Sequence, residues 1–158
     1  MKAIHQAIFG SALVCGLISL DITAAHAQPA GEPPAFVALT PEQLVWVDFP
    51  GRPGVKLALI EGDMKKAGPF TARIRFPANY KLAAHWHPGI EHVTVISGTL
   101  YLGAGDGSDA SKTLTLPPGS AAVIQPKTLH FGYTKEEVVI QAHGFGPWET
   151  HPPAELPK

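Results

Sequence analysis

From Val55 onward the chain falls into short stretches of apolar and polar residues in alternation, broken by turn residues. The stretch 70–76 shows it most clearly. Phe70, Ala72, Ile74 and Phe76 share one face and Thr71, Arg73 and Arg75 the other, the period of a half-buried strand. Residues 91–97 alternate likewise, with Glu91, Val93 and Val95 on one side. Strands are predicted over 55–61, 70–76, 80–84 running on to His85, 91–97, 99–102, 113–116, 121–125, 129–133 and 138–143. Gly98 marks a hairpin junction, and 103–112 is a long loop whose Asp106 and Asp109 lack the spacing of a calcium loop. The one helical signal is short. Thr40 is placed as an N-cap, with Pro41 in the first turn, Gln43 at the capping-box position and one or two turns over 44–47. Trp46 in that segment is expected to plug an edge of the core. Short strands at close spacing, with no helix of length, indicate an all-β sandwich or barrel.

The first 27 residues read differently. Lys2, a mostly apolar run over 7–20 and the small-x-small sequence Ala25-His26-Ala27 are the pattern of a secretory signal peptide cut after Ala27. The apolar run is too short for a comfortable membrane span. Cys15, the one cysteine, lies inside this segment after Val14, which is not the small residue that lipid attachment wants. The mature chain is therefore expected in the periplasm or outside the cell, without a membrane span. With no disulfide available, core packing must hold it. Residues 28–39 form a Pro- and Ala-rich arm, 40–150 the domain, and 151–158 a loose proline-rich tail.

Composition sharpens the exclusions. Sixteen glycines and sixteen prolines in 158 residues argue against a helix bundle. Net charge is −1, and the leader removes one charge of each sign (Lys2, Asp21), so the mature value is unchanged. No basic stripe is present, which excludes nucleic acid as a natural partner.

The chemistry lies in His85-Trp86-His87-Pro88-Gly89-Ile90-Glu91. On a strand His85 and His87 share a face, and the Pro88-Gly89 turn lets Glu91 return to the same pocket. Two imidazoles and a carboxylate at one point suit a borderline divalent metal. His92 points away from Glu91 and stays outside the site. The stretch resembles the first motif of the cupin superfamily, G-x5-H-x-H-x3,4-E-x6-G, through His85, His87, Glu91 and Gly98, with Asn79 in place of the leading glycine. The second motif, G-x5-P-x-G-x2-H-x3-N, is degenerate. Gly119 and His130 stand at full separation, but proline arrives late at Pro126, Lys127 replaces the internal glycine and Thr134 the asparagine. The resemblance spans residues 55–144, the motif core.

It implies a small jelly-roll barrel (a double-stranded β-helix), His130 as a fourth ligand beside His85, His87 and Glu91, and a homodimer as default. The metal is Mn, Fe, Co, Ni, Cu or Zn, and the ligand set alone does not choose. The family's reactions are diverse, so the function expected is an exported metal-binding cupin acting on a small organic molecule by oxygenase-type chemistry, and, if an enzyme, a metal-dependent dioxygenase or isomerase of the cupin type. A non-catalytic binding or sensing cupin is the alternative, and a vestigial site conflicts with the full ligand set. Candidate contacts for the small molecule are His143 and Gln141, which share a face of the last strand, and one of Arg73 and Arg75. The alternatives are a buried histidine satisfied by backbone and two solvated arginines on a half-buried strand. His143 and Glu61 are the candidate acids or bases beyond the ligands. If His130 points inward so does Gly132, leaving room by the metal, while Phe131 and Tyr133 face outward or into a partner. His151, in the tail, is set aside.

Overall fold

A computed structural model of the chain describes residues 36–157. The expected signal peptide and residues 28–35 of the arm lie outside the described residues, and 36–39 are exposed without regular structure. Ten strands follow: β1 (Val47–Asp48), β2 (Lys56–Glu61), β3 (Gly68–Phe76), β4 (Lys81–His85), β5 (Glu91–Ser97), β6 (Leu100–Ala104), β7 (Leu114–Leu116), β8 (Ala121–Ile124), β9 (His130–Thr134) and β10 (Val138–Gly146). They form a six-stranded sheet in the order β1-β2-β3-β10-β5-β8 and a four-stranded sheet in the order β4-β9-β6-β7. The pairings are antiparallel. This is the jelly-roll barrel expected.

Alternation decides which side of each strand is wet. Along β5, Glu91, Val93 and Val95 are buried while His92, Thr94 and Ile96 are exposed. β10 buries Val138, Ile140, Ala142 and Gly144. The inward residues Ile74, Phe76, Val93, Val95, Leu100, Ile124 and Ile140 make one core between the sheets. Each such aliphatic side chain contributes about 1.5–3 kcal/mol by leaving water.

The helical expectation over 44–47 is corrected. Only Pro41–Gln43 turns, as a 3-10 helix, with the Thr40 N–H donating to Gln43 Oε1 at 2.8 Å. Val47 and Asp48 then pair with Leu57 and Lys56 as an edge strand. β-branched Val45 and Val47 favour that extended form, and sheet pairing outweighs a short capped turn. Trp46 does not plug the core. It is half-buried, 4.2 Å under the Arg75 guanidinium.

Two turns explain the departures from glycine noted above. Asn79 and Lys127 both adopt positive φ, 59° and 61°, so each takes the left-handed backbone that glycine usually supplies. Thr134 clamps the first turn, its hydroxyl donating to the Pro77 carbonyl at 2.7 Å and accepting from the Tyr80 N–H at 3.0 Å. At Gly98 φ is +70°, and a Cβ would collide with the Glu137 carbonyl.

Gly98→Ala and Gly119→Ala separate strain from collision. Gly119 has φ +85° but open space around it, so alanine there should cost about 1–2 kcal/mol of backbone strain. Gly98→Ala adds the clash and should cost about 3 kcal/mol or more in urea unfolding. Equal costs would show that the Glu137 contact does not matter.

Candidate metal centre

His85 ends β4, His130 opens β9, and the two are register partners across that pair. His87 follows on the loop, and Glu91 opens β5 in the other sheet. Barrel closure thus brings four polar side chains together, each buried to 7% exposure or less. One ring nitrogen each of His85, His87 and His130 forms a group whose members lie within 4.8 Å of one another. Glu91 Oε2 stands 3.5 Å from His87 Nε2 and 3.5 Å from His130 Nε2.

Backbone carbonyls set the tautomers. His85 Nδ1 lies 2.8 Å from the Ala83 carbonyl, His87 Nδ1 2.6 Å from that of Glu149, and His130 Nδ1 3.0 Å from that of Thr128. A carbonyl oxygen only accepts, so each Nδ1 carries the proton and donates it. In the neutral ring that leaves Nε2 with a lone pair. Burial pushes His85 down to about 3, with the charges of His130, His87 and Arg52 adding to it and the Ala83 bond opposing. Burial also lowers His87, against the pull of Glu91. Ring nitrogens and a carboxylate oxygen therefore face one another at short range, and a cation between them would satisfy them together. The donor set fits a divalent transition metal, and the buried trio can bind one.

The last residues of the domain complete the site. The Trp148 ring stacks on His87 with centroids 4.1 Å apart and meets Phe70 edge-on at 5.2 Å. The Trp148 backbone N–H donates to the Met64 carbonyl at 2.7 Å. His151 exchanges two backbone hydrogen bonds of 3.0 Å with Trp86 and stacks on its indole. The Trp86 ring N–H donates to the Pro152 carbonyl at 3.2 Å. Residues 151–157 are therefore not a loose tail through their whole length. The strap from Trp148 to Pro152 holds the metal loop, and the Glu149 carbonyl within it aims His87.

Around the four polar groups lies a cavity walled by Ile74, Phe76, Leu82, Leu100, Ile140 and Trp148, with Arg52 at its edge. Its free interior is about 40 Å³. The other sequence candidates lie elsewhere. Gln141 and His143 alternate with inward Ile140 and Ala142, so they face outward. His143 Nδ1 is 2.9 Å from Thr71 Oγ1, which donates to Glu61 at 2.8 Å, so Glu61 also stands on the outer surface. Arg73 and Arg75 alternate with buried Ile74 and Phe76 and leave the cavity too. Arg75 instead packs on Trp46 and lies 3.9 Å from Glu137. Gly132 does not open room, since a Cβ there would lie 2.6 Å from the Tyr101 carbonyl. Phe131 is buried within the chain itself, against Gly103 of β6 and Gly107 of the loop that follows, rather than bare on the outside. Asp106 and Asp109 in that loop accept from the backbone of Ser108 and Ser111. Arg52, Trp148 and the Glu149 carbonyl went unread, because nothing periodic marks residues placed by turns.

Fold and site together define a cupin. The ChrR cupin-like domain matches residues 35–121, more than half the chain, so the chain belongs to that family. The match ends before His130, so the third imidazole comes from outside the matched stretch. No curated protein matches. Among solved structures the chain resembles the polyketide cyclase RemF from Streptomyces resistomycificus, at 14% identity and TM-score 0.62 over 75% of this chain and 85% of that one. It also resembles an RmlC-like cupin from Shewanella frigidimarina, at 15% identity and TM-score 0.55 over 68% and 87%. A third is salicylate 1,2-dioxygenase from Pseudoaminobacter salicylatoxidans, solved with gentisate, at 14% identity and TM-score 0.53 over 63% and 29%. At such identities the likeness is one of fold.

Removing residues 149–158 takes away the acceptor for His87 and should weaken zinc retention about 10–100-fold, as loss of a partner that orients a ligand does. Unchanged retention by competition with a chelator would contradict a role for the strap. The metal-free chain should also lose stability in acid. Unfolded histidine takes up a proton near its ordinary value of 6.5, whereas folded His85 resists it down to about 3. The unfolded state then binds more protons, so this contribution is intact above about pH 6.5 and declines toward pH 3. Urea midpoints of stripped protein should fall from about pH 7.5 to about pH 5, and His85→Gln should flatten part of the slope. An identical slope in that variant would remove His85 as its source.

Proposed function

We propose that this chain is an exported metal-dependent enzyme of the oxygenase type, acting on a small organic molecule. The observation that carries the reading is the set of buried imidazoles, their Nδ1–H groups tied to carbonyls and their Nε2 atoms gathered beside Glu91. His85, His87, His130 and Glu91 would hold one divalent ion. Such an ion supplies Lewis acidity and, if redox-active, one-electron chemistry. The protein's own part is to keep the rings neutral and aimed, to wall the site with Ile74, Phe76 and Ile140, and to close it behind His87 with Trp148. The fold neighbours include a cyclase and a dioxygenase, so architecture alone leaves the reaction open. A non-catalytic binding cupin is the second reading, favoured by the small interior of about 40 Å³. Export rests on the pattern over residues 1–27. Among the described residues no helix is long and apolar enough to cross a membrane.

Elemental analysis of protein taken from its own compartment should find about one transition metal per chain. His85→Ala or His130→Ala should weaken retention about 100-fold or more. Absence of metal from wild type after reconstitution would end this reading. Glu91→Gln removes a ligand charge and should alter metal affinity and any oxygen consumption together. Turnover with unchanged kinetics in that variant would place the carboxylate outside the coordination sphere.

A further inference from the structure

The interior by the histidines, about 40 Å³, holds only a few water-sized groups, since one water needs roughly 10–15 Å³. A ligand of more than a few heavy atoms then extends beyond it. A groove of about 420 Å³ adjoins the interior and shares Phe49, Arg52, His85 and Thr150 with it. Tyr80 and Lys81 line the groove further out, and no carboxylate lines it. Asp48, close by in sequence, is occupied by Lys56 at 2.6 Å.

The backbone that carries Arg52 is held in a turn. Its backbone N–H donates to the Phe49 carbonyl at 3.1 Å and its backbone carbonyl accepts from the Val55 N–H at 3.1 Å. The guanidinium lies 5.3 Å from the Phe49 ring centroid. A cation–π contact of this kind uses none of the guanidinium N–H donors on an oxygen, and those donors pair bidentately with a carboxylate. Among the described residues no acidic side chain forms a salt bridge with it.

Given the proposed metal centre, on which this assignment rests, we infer that Arg52, with Lys81 behind it, is the recognition site for the carboxylate of a small organic anion. The anion lies in the groove between Phe49 and Tyr80, and its far end reaches the interior beside His85. Substrates of this centre are then small carboxylates rather than neutral molecules, and Arg52 is a specificity residue.

The probe is benzoate against its uncharged isostere benzamide, titrated calorimetrically into the purified chain after metal removal by chelation. Zinc stoichiometry is measured separately on aliquots of the same preparations reconstituted with zinc. Benzoate should bind at least tenfold tighter than benzamide. Arg52→Gln should lose that preference, and Arg52→Lys, which keeps charge but not the planar fork, should retain part of it. All three proteins should hold the same zinc. Benzoate affinity within twofold of wild type in Arg52→Gln, or equal binding of benzamide, would overturn the inference. Displacement of benzoate by equimolar inorganic phosphate would overturn the carboxylate assignment. Because the anion is read without metal, failure to hold zinc would count against the proposed function and leave this result standing.

Discussion

Hydrogen-bond acceptors do not gather in an apolar interior without a cause. Here the imidazole Nε2 atoms and a carboxylate oxygen face one another inside a barrel walled by isoleucine, phenylalanine and leucine. The alternative protonation, in which the rings become cations and donate, is opposed by burial, which holds His85 far below the ordinary histidine range. A cation at the centre would satisfy the lone pairs and the carboxylate oxygen together. Strand order, turns and strap can be read as the means of holding this constellation in place.

Each ring is anchored by a carbonyl from a different part of the chain. Ala83 and Thr128 each lie two residues before the ring they hold, so the extended backbone itself aims His85 and His130. His87 sits beyond the strand, on a loop, and needs help from a distance. Its carbonyl comes from Glu149, its stacking partner is Trp148, and the loop is tied down by the Trp86–His151 bridge. Lys127, with its left-handed backbone, donates its N–H to the His87 carbonyl at 2.8 Å. The loop carrying His87 is thus secured from both sides.

The fold was legible because alternation along 70–76 and 91–97 has one physical meaning, a sheet wet on one side. The same rule placed Glu91 inward and His92 outward. It also shows why His143, Gln141, Arg73 and Arg75 were misplaced as pocket residues. Their strands were recognised, but Ile74, Phe76, Ile140 and Ala142 already held the inward face, and a strand has only two. Degenerate motif positions did not announce themselves as functional equivalents, because positive φ at Asn79 and Lys127 is a backbone property that residue identity only suggests. The strap was illegible for a different reason. Proline-rich sequence predicts absence of regular structure, and that says nothing about whether the segment docks. His151 and Trp148 act through backbone bonds and stacking across long sequence separation, for which a single sequence has no signal.

Anomalous diffraction from zinc-loaded crystals, recorded at the zinc edge, tests the common centre most directly. One peak is predicted, about 2.0–2.1 Å from Nε2 of His85, His87 and His130 and close to a Glu91 oxygen. No peak within the barrel, or a His130 ring turned toward solvent while zinc sits elsewhere, would contradict it.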